Sequence, residues 1–232
     1  MTDPAPDPEH WRGPEPWFDR VARVVRFLVW LLVDVRVLHP ERVPRKGAVL
    51  LAANHVSHLD PPVVGVVVYR LRRRVRFLAV EGLFHTHVLG WALRVTRMIP
   101  VHRGAGPERM VADACAALQA DQAIIVYPEG TIPRPAEVLL GRPGAGLLAL
   151  EALDMGVPVV PMASWGLDHR GGGRLPRLLR RKSAVAFGPP VDLSPWVGRR
   201  DRSAQLEASA AMLDAIRGLA PEAESAVRRA SA

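Results

Sequence analysis

A cluster of polar side chains directly follows one of the apolar segments of this 232-residue chain. The apolar segment at 48–53 runs into the sequence NHVSHLD, which supplies Asn54, His55, Ser57 and Asp60. Four residues separate His55 from Asp60, so the carboxylate can bind one imidazole nitrogen and fix its tautomer. The other nitrogen is then free to act as a general base. The cluster therefore predicts a His–Asp dyad that deprotonates a substrate hydroxyl, with no nucleophile required from the protein.

A second polar cluster, YPEGTIPR at 127–134, also follows an apolar segment. Pro128 and Gly130 are typical of a tight turn, which would present Glu129 at its apex. The backbone N–H groups of Gly130 and Thr131, together with the threonine hydroxyl, can bind a phosphate or an oxyanion. This turn is therefore a candidate binding site for a negatively charged group.

A third cluster, IPVHR at 99–103, ends in Arg103. The planar guanidinium of arginine binds two phosphate oxygens at once, so Arg103 is a candidate phosphate ligand. The alternative is that Arg103 is an ordinary surface arginine in contact with solvent. In open α/β sheets the reactive groups lie just beyond the carboxyl ends of strands, and we expect each of the three clusters to occupy such a position.

The elements that must position these clusters alternate along the chain. Segments of continuous apolar character predict strands buried on both faces, and helix-like segments separate them. The pattern predicts an α/β fold, a single domain with a mixed, largely parallel central sheet flanked by helices. The candidate strands lie at 48–53, 75–80, 97–102, 123–127, 157–163 and 183–188, and the candidate helices at 61–70, 83–95, 107–120, 142–155 and 201–218.

The amino-terminal region combines two different compositions. Residues 1–16 are acidic and rich in proline, which predicts a disordered lead and no secretory signal. Residues 17–38 predict an amphipathic helix, in which Arg20, Arg23 and Arg26 recur on one side. Its longest apolar run is far shorter than the roughly 20 residues that span a bilayer. We therefore expect the helix to lie on a membrane surface, or else to pack on the domain with a basic outer edge.

The overall charge of the chain is basic. There are 31 Lys and Arg against 23 Asp and Glu, a net charge of +8, and only Lys46 and Lys182 are lysines. Abundant arginine favours anionic ligands, although a GC-rich genome would produce it as well. The basic runs at 70–76 and 174–182 contain no aromatic residue, which favours anionic lipid or a phosphate-bearing small molecule over nucleic acid, with a solvated charged face as the alternative. The single cysteine, Cys115, excludes an internal disulfide and indicates a reducing compartment.

Taken in order, the three clusters and the apolar segment VPVVPMA resemble the motifs of the lysophospholipid and glycerophosphate acyltransferase family, and most of all its bacterial 1-acylglycerol-3-phosphate acyltransferases. The matching segments are Asn-His-x-Ser-x-x-Asp at 54–60, an arginine after a short strand at 99–103, aromatic-Pro-Glu-Gly-Thr at 127–131 and a Val-Pro-type strand at 157–162. The resemblance covers roughly residues 40–190. It implies an acyltransferase domain at 39–220, and we expect a flexible tail at 221–232.

This resemblance implies transfer of a fatty acyl group from acyl-CoA or acyl carrier protein to the free hydroxyl of 1-acylglycerol 3-phosphate, which gives phosphatidic acid. In that reaction His55 would be the general base and Asp60 would orient it. The acceptor-binding residues would be Arg103, Glu129, Gly130 and Thr131, with Asn54 and Ser57 beside them. No metal and no cofactor is implied, and the protein would work peripherally on an anionic membrane, at its cytoplasmic face.

The chain departs from the family pattern near the expected site. Val80 and Glu81 stand where relatives often carry a lysine before a Leu-Phe pair. Ile132 and Pro133 stand where many have an arginine and a serine, and Arg142 replaces the lysine of a later Lys-Gly element. These differences leave the dyad intact and leave the identity of the acceptor open.

Three alternatives remain open at this point. A metal-dependent hydrolase could use His55, His58 and Asp60 with His85 or His87, but the usual motif of two histidines around a glutamate is missing from the sequence. A non-catalytic basic module would bind anionic membranes or nucleic acid. The same acyl transfer could also act on glycerol 3-phosphate or on another lysolipid.

Overall fold

A seven-stranded sheet forms the centre of the computed structural model, which describes residues 7–102, 104, 106–133, 140–167 and 180–231. Its strands are β1 (Val33–Leu38), β2 (Val49–Ala53), β3 (Val75–Val80), β4 (Ile99–Val101), β5 (Ala123–Val126), β6 (Val159–Trp165) and β7 (Arg181–Phe187). The helices are α1 (Pro8–Arg12), α2 (Phe18–Leu32), α3 (Asp60–Arg70), α4 (His87–Val95), α5 (Glu108–Gln119), α6 (Pro143–Asp154) and α7 (Arg202–Ser231). Short 3₁₀ turns lie at Pro40–Arg42, Glu81–His85 and Ser194–Trp196.

The strands lie in the order β1-β7-β6-β2-β5-β3-β4, and neighbours within this sheet are parallel except for β6 and β7. Strands β1 and β7 therefore run against the other five. The predicted α/β fold with a mixed, largely parallel sheet is confirmed. One consequence concerns the site, since the carboxyl ends of β2 and β5 share an edge of the sheet with the amino ends of β1 and β7.

Helices cover both faces of the sheet, which explains the continuous apolar character of its central strands. Leu50 and Ala52 of β2 face the core formed with α5, α6 and α7. Val49, Leu51 and Ala53 face the opposite side, where α3 packs. All five side chains are fully buried. Outside α3 lies α2, whose Val29 joins a third apolar cluster with side chains of α3.

The six candidate strands are all present, but a seventh was missed because it was assigned to a helix. The predicted helix over 17–38 is wrong for its last six residues, since α2 ends at Leu32 and β1 begins at Val33. In β1 the exposed Asp34 and Arg36 alternate with more buried valines, the period of a strand. This strand pairs in parallel with β7, with Val35 opposite Ser183.

The prediction of a disordered lead over residues 1–16 is wrong for the part of it that the structure describes. Trp11 of α1 is buried, and the buried carboxylate of Glu15 forms an ion pair with Arg76 of β3, which has no exposed surface. The guanidinium of Arg97 donates to three backbone carbonyls of the same segment. A polar, proline-rich sequence is ordered here because the buried Arg76 binds its carboxylate and the half-buried Arg97 binds its carbonyls.

The prediction of a flexible tail at 221–232 is also wrong for the described residues. Helix α7 continues through Pro221 to Ser231, and Ala223 and Ala226 are buried. The carboxylate of Glu222 lies 2.7 Å from Nε2 of His39, just beyond β1. The alanine-rich end of the chain is therefore a packed helix.

Candidate active site

The loop between β2 and α3 holds a histidine and an aspartate in direct contact. Nδ1 of His55 lies 3.0 Å from Oδ2 of Asp60. The backbone N–H groups of Val56 and Ser57 donate to the same oxygen at 2.6 and 2.7 Å. The Asp60 side chain is completely buried, whereas the side chain of His55 is 18% exposed. The structure thus brings together the two residues that the sequence predicts to form a dyad.

Asp60 lies at the amino-terminal end of a helix. It is the first residue of α3, where the unpaired N–H groups and the helix dipole stabilise a negative charge. A carboxylate bound to Nδ1 keeps the proton of the neutral imidazole on that nitrogen. Nε2 of His55 is then an acceptor, and the arrangement can remove a proton from a hydroxyl.

Asn54 and Ser57 support this loop through their own hydrogen bonds. The amide of Asn54 donates to the backbone oxygen of Ser164 on β6 at 3.0 Å and accepts from the Ser164 N–H at 2.7 Å. The hydroxyl of Ser57 is buried and accepts from the N–H of Leu59. The hydrogen bonds of Asn54 attach the residue that follows β2 to the neighbouring strand β6. The predicted part of Asn54 and Ser57 in substrate binding stays a prediction.

The turn after β5 lies beside the dyad. Gly130 donates to the backbone oxygen of Tyr127 at 2.9 Å and has a φ of +68°, a conformation that favours glycine. A Cβ atom at this position would also lie only 2.8 Å from Cγ of Arg142, whose side chain crosses the turn. The N–H of Arg142 closes the turn by donating to the oxygen of Pro128 at 2.8 Å. Both Gly130 and the half-buried Thr131 thus lie in a defined turn.

The ring of Tyr127 stacks on the imidazole of His55. The ring centroids are 4.3 Å apart and the planes are inclined by 22°. Burial, and then the charge of Asp60, raise the pKa of the Tyr127 phenol well above its usual range. This contact is not predictable from the spacing of the residues in the sequence. The only signal for it was the aromatic residue in front of the Pro-Glu-Gly turn.

Glu129 is a half-buried carboxyl next to the same histidine. Burial raises the pKa of Glu129 to about 7, and the backbone N–H and the imidazole of His55 lower it only in part. Its buried Oε2 has no hydrogen-bond partner among the described residues. A carboxyl in this state can act as a donor or an acceptor near neutral pH.

Some predicted residues cannot be placed. Arg103 lies outside the described residues, as do most of the basic run 174–182 and the end of the turn at 134. The described neighbour of Arg103 is His102, whose Nδ1 lies 2.8 Å from a carboxylate oxygen of Glu81. Within the described part of the chain, no group of three or more His, Cys, Asp or Glu side chains is placed to hold a metal ion.

An apolar surface lies at the same end of the molecule as the dyad. Helix α2 buries Phe18 and Val29 but exposes a series of large apolar side chains, namely Val24, Phe27, Leu28, Trp30, Leu31 and Leu32. Val56, the neighbour of His55, packs on the cluster that contains Val29 and Val33. The carboxyl end of α2 is therefore close to the loop that holds His55. In the described residues, no helix has both the length and the apolar character that crossing a membrane requires.

Comparisons with known proteins agree with this arrangement. A family model described as Acyltransferase matches residues 34–165, more than half of the chain. The chain is 30% identical over 173 residues to a probable 1-acyl-sn-glycerol-3-phosphate acyltransferase of Mycoplasma pneumoniae, an alignment covering 68% of this chain and 59% of that protein. It is 22% identical over 148 residues to a 1-acyl-sn-glycerol-3-phosphate acyltransferase of Borreliella burgdorferi, covering 62% and 57%. The chain thus spans less than two thirds of the length of either relative.

A solved structure shares the fold. The crystal structure of PlsC, the 1-acyl-sn-glycerophosphate (LPA) acyltransferase of Thermotoga maritima, matches with a TM-score of 0.64 at 24% sequence identity. The match covers 87% of this chain and 78% of that one. The common architecture therefore extends beyond the residues that the family model matches.

Proposed function

The chain belongs to the Acyltransferase family, and from this premise we propose that it transfers a fatty acyl group from a thioester to the free hydroxyl of 1-acylglycerol 3-phosphate. The thioester is acyl-CoA or acyl carrier protein, and the product is phosphatidic acid. The observation that carries the proposal is the buried Asp60 carboxylate 3.0 Å from Nδ1 of His55. This pair leaves Nε2 as a base at the edge of the sheet.

The proposed reaction needs no group from the protein other than this dyad to move a proton. Nε2 of His55 takes the proton of the acceptor hydroxyl while its oxygen attacks the thioester carbonyl carbon. The carbon–sulfur bond then breaks, and the imidazolium returns its proton to the leaving thiolate. Asp60 stays ionised and stabilises the imidazolium. General-base help of this kind contributes roughly 10²- to 10⁴-fold, so positioning of the two substrates must supply much of the remaining acceleration.

The phosphate of the acceptor would bind at the turn after β5. The N–H of Gly130 is used within the turn, where it donates to the oxygen of Tyr127, so Gly130 would shape the site for the phosphate. The N–H and hydroxyl of Thr131 would bind the phosphate, and Arg103 would add a bidentate charge. Glu129 is unsuited to touch phosphate directly. In this scheme, Glu129 holds a cation or the acceptor hydroxyl in position next to His55.

We propose further that the protein works peripherally on the cytoplasmic face of an anionic membrane. The exposed apolar side chains of α2 would enter the headgroup region, and Arg20, Arg23 and Arg26 along the same helix would bind lipid phosphates. Val56 connects this helix to the catalytic loop. An acceptor that is itself a membrane lipid would then reach His55 without leaving the surface entirely.

The experiment that tests the proposal measures thiol release from a long-chain acyl-CoA by the detergent-solubilised protein, with and without lysophosphatidic acid. We expect release that depends on the acceptor and that falls by about 10²-fold or more in His55→Ala. The matched control is His58→Ala, which removes an exposed histidine of the same loop. This variant should retain the activity. Loss of activity in His58→Ala would instead favour a metal site at His58.

Other outcomes redirect or reject the proposal. Thiol release without acceptor would identify a thioesterase. No release at all would lead to acyl carrier protein as donor, and then to glycerol 3-phosphate and other lysolipids as acceptors. Failure with every donor and acceptor would reject acyl transfer in favour of a non-catalytic membrane-binding module.

A further inference from the structure

The catalytic loop depends on one aromatic side chain from a different strand. Tyr127 follows β5 directly, and the pairing of Ala52 with Val126 carries it alongside the end of β2. Its ring lies 4.3 Å from that of His55 and is nearly parallel to it. Tyr127 also packs against the apolar cluster between the sheet and α3, which supports its side chain.

A ring in this position acts on the imidazole in two ways. Stacked aromatic rings restrict each other's rotation, so the plane of His55 is fixed by Tyr127 as well as by its hydrogen bond to Asp60. A positive charge forms on the imidazole when it takes a proton, and the negative face of an aromatic ring attracts a cation within about 6 Å. The first effect orients the imidazole, and the second stabilises the charge that forms on it during proton transfer.

The hydroxyl of Tyr127 is not part of this effect. Its oxygen is buried and finds no hydrogen-bond partner among the described residues. Within the described part of the site, the phenol hydroxyl therefore makes no hydrogen bond. The ring carries the interaction by itself.

We propose that Tyr127 is a positioning residue, whose ring holds the His55 imidazole in its reactive plane and stabilises the imidazolium during proton transfer. This inference rests on the proposed function, because it assigns a partner to the base of that reaction. It predicts that the ring of Tyr127 determines kcat, while the hydroxyl does not.

The test is a set of three substitutions assayed for acyl transfer with acyl-CoA and lysophosphatidic acid, with melting temperatures measured in parallel. Tyr127→Phe should keep the wild-type kcat. Tyr127→Leu and Tyr127→Met, which fill the site without a ring, should lower kcat about tenfold or more and leave the KM for both substrates unchanged. The matched control is Phe77→Leu, which removes a ring from the same apolar cluster at a position away from His55. It should lower the melting temperature without lowering kcat.

The outcomes separate this inference from the function on which it rests. Absence of acyl transfer in the wild type with every donor and acceptor named above would reject the proposed function itself. With an active wild type, folded Leu and Met variants with unchanged kcat would overturn the role of Tyr127. Loss of kcat in Tyr127→Phe would assign the effect to the hydroxyl and overturn it as well. Failure of both the Leu and Met variants to fold would make Tyr127 a core residue and reject the assignment.

Discussion

At the scale of single residues, one carboxylate oxygen of Asp60 accepts three hydrogen bonds. Oδ2 accepts from His55, Val56 and Ser57, so the same atom orders the loop and orients the imidazole. The stability of the loop and the geometry of the base are therefore linked. The spacing of His55 and Asp60 was sufficient to predict this contact. The stacking of Tyr127 was not predictable, because it depends on the register between β2 and β5, in which the paired residues lie 74 positions apart in the sequence.

Replacing Glu129 by glutamine should stabilise the fold near pH 7 and have little effect near pH 4. The pKa of Glu129 is about 7 in the folded protein and 4.5 is its ordinary value. Between these values the folded state keeps a proton that the unfolded state has lost, so the wild type loses stability as the pH rises. Melting temperatures measured across this range should diverge in favour of the variant and stay apart above it.

A second carboxyl provides a control of opposite sign. Glu207 on α7 accepts hydrogen bonds from Ser203 and Trp196, which lower its pKa. Glu207→Gln should therefore lose stability relative to the wild type as the pH rises toward 4.5, the ordinary value for glutamate, and the difference should stay constant above it. A Glu129→Gln variant whose difference from the wild type does not change with pH would contradict the raised pKa of Glu129.

At the scale of elements, the segment before α2 is attached to β3 by a buried ion pair. Both carboxylate oxygens of Glu15 bind the guanidinium of Arg76, which also donates to the backbone oxygen of Thr96. Glu15→Ala would leave Arg76 buried without its counter-charge. We expect a loss of about 3–5 kcal/mol in the free energy of unfolding, measured by urea denaturation.

The control for this pair lies four residues further along the chain. Asp19 binds Arg74 at 2.8 Å, but both side chains are largely exposed. Asp19→Ala should cost about 0–1 kcal/mol, because exposed ion pairs contribute little. If Glu15→Ala also lowered the free energy of unfolding by only about 0–1 kcal/mol, the segment containing Glu15 would not stabilise the sheet.

The outer face of α2 should determine binding to membranes. Replacing Phe27 and Leu31 by serine removes two exposed apolar side chains and leaves the buried face of α2 intact. We expect the double variant to bind phosphatidylglycerol vesicles at least about tenfold more weakly in co-sedimentation, because each inserted apolar side chain contributes roughly 1.5–3 kcal/mol when fully buried.

Equivalent apolar residues on another part of the surface provide the comparison. Val197 and Leu206 are exposed but belong to the region around the start of α7. Val197 is as exposed as Phe27, at 61% against 59%. The double serine variant at these positions should bind vesicles like the wild type. Equal loss in both double variants would indicate nonspecific adhesion and would reject α2 as the membrane contact.

At the scale of the whole molecule, the sequence predicted the central sheet better than it predicted the two ends. The central strands β2, β5 and β6 were found because they are buried on both faces and read as continuous apolar runs. Strand β1 was missed because it directly continues an apolar helix without a break at Leu32 and Val33. The two ends were expected to be disordered on composition alone. Their order comes from distant partners, Arg76 for the lead and His39 for the carboxyl-terminal helix.

The reversed direction of β1 and β7 has a consequence for how the rate should be measured. Because β1 starts at the sheet edge where β2 ends, the apolar end of α2 and His55 meet the same side of the molecule. Under the proposed function, an enzyme held in this orientation would take its substrate from a two-dimensional surface. Its velocity should follow the mole fraction of lysophosphatidic acid in the interface and should fall when neutral detergent is added at constant bulk concentration. A velocity that followed only the bulk concentration would mean that the acceptor is taken from solution. A surface-dilution assay therefore tests, through the kinetics, a consequence of the orientation of β1 and β7.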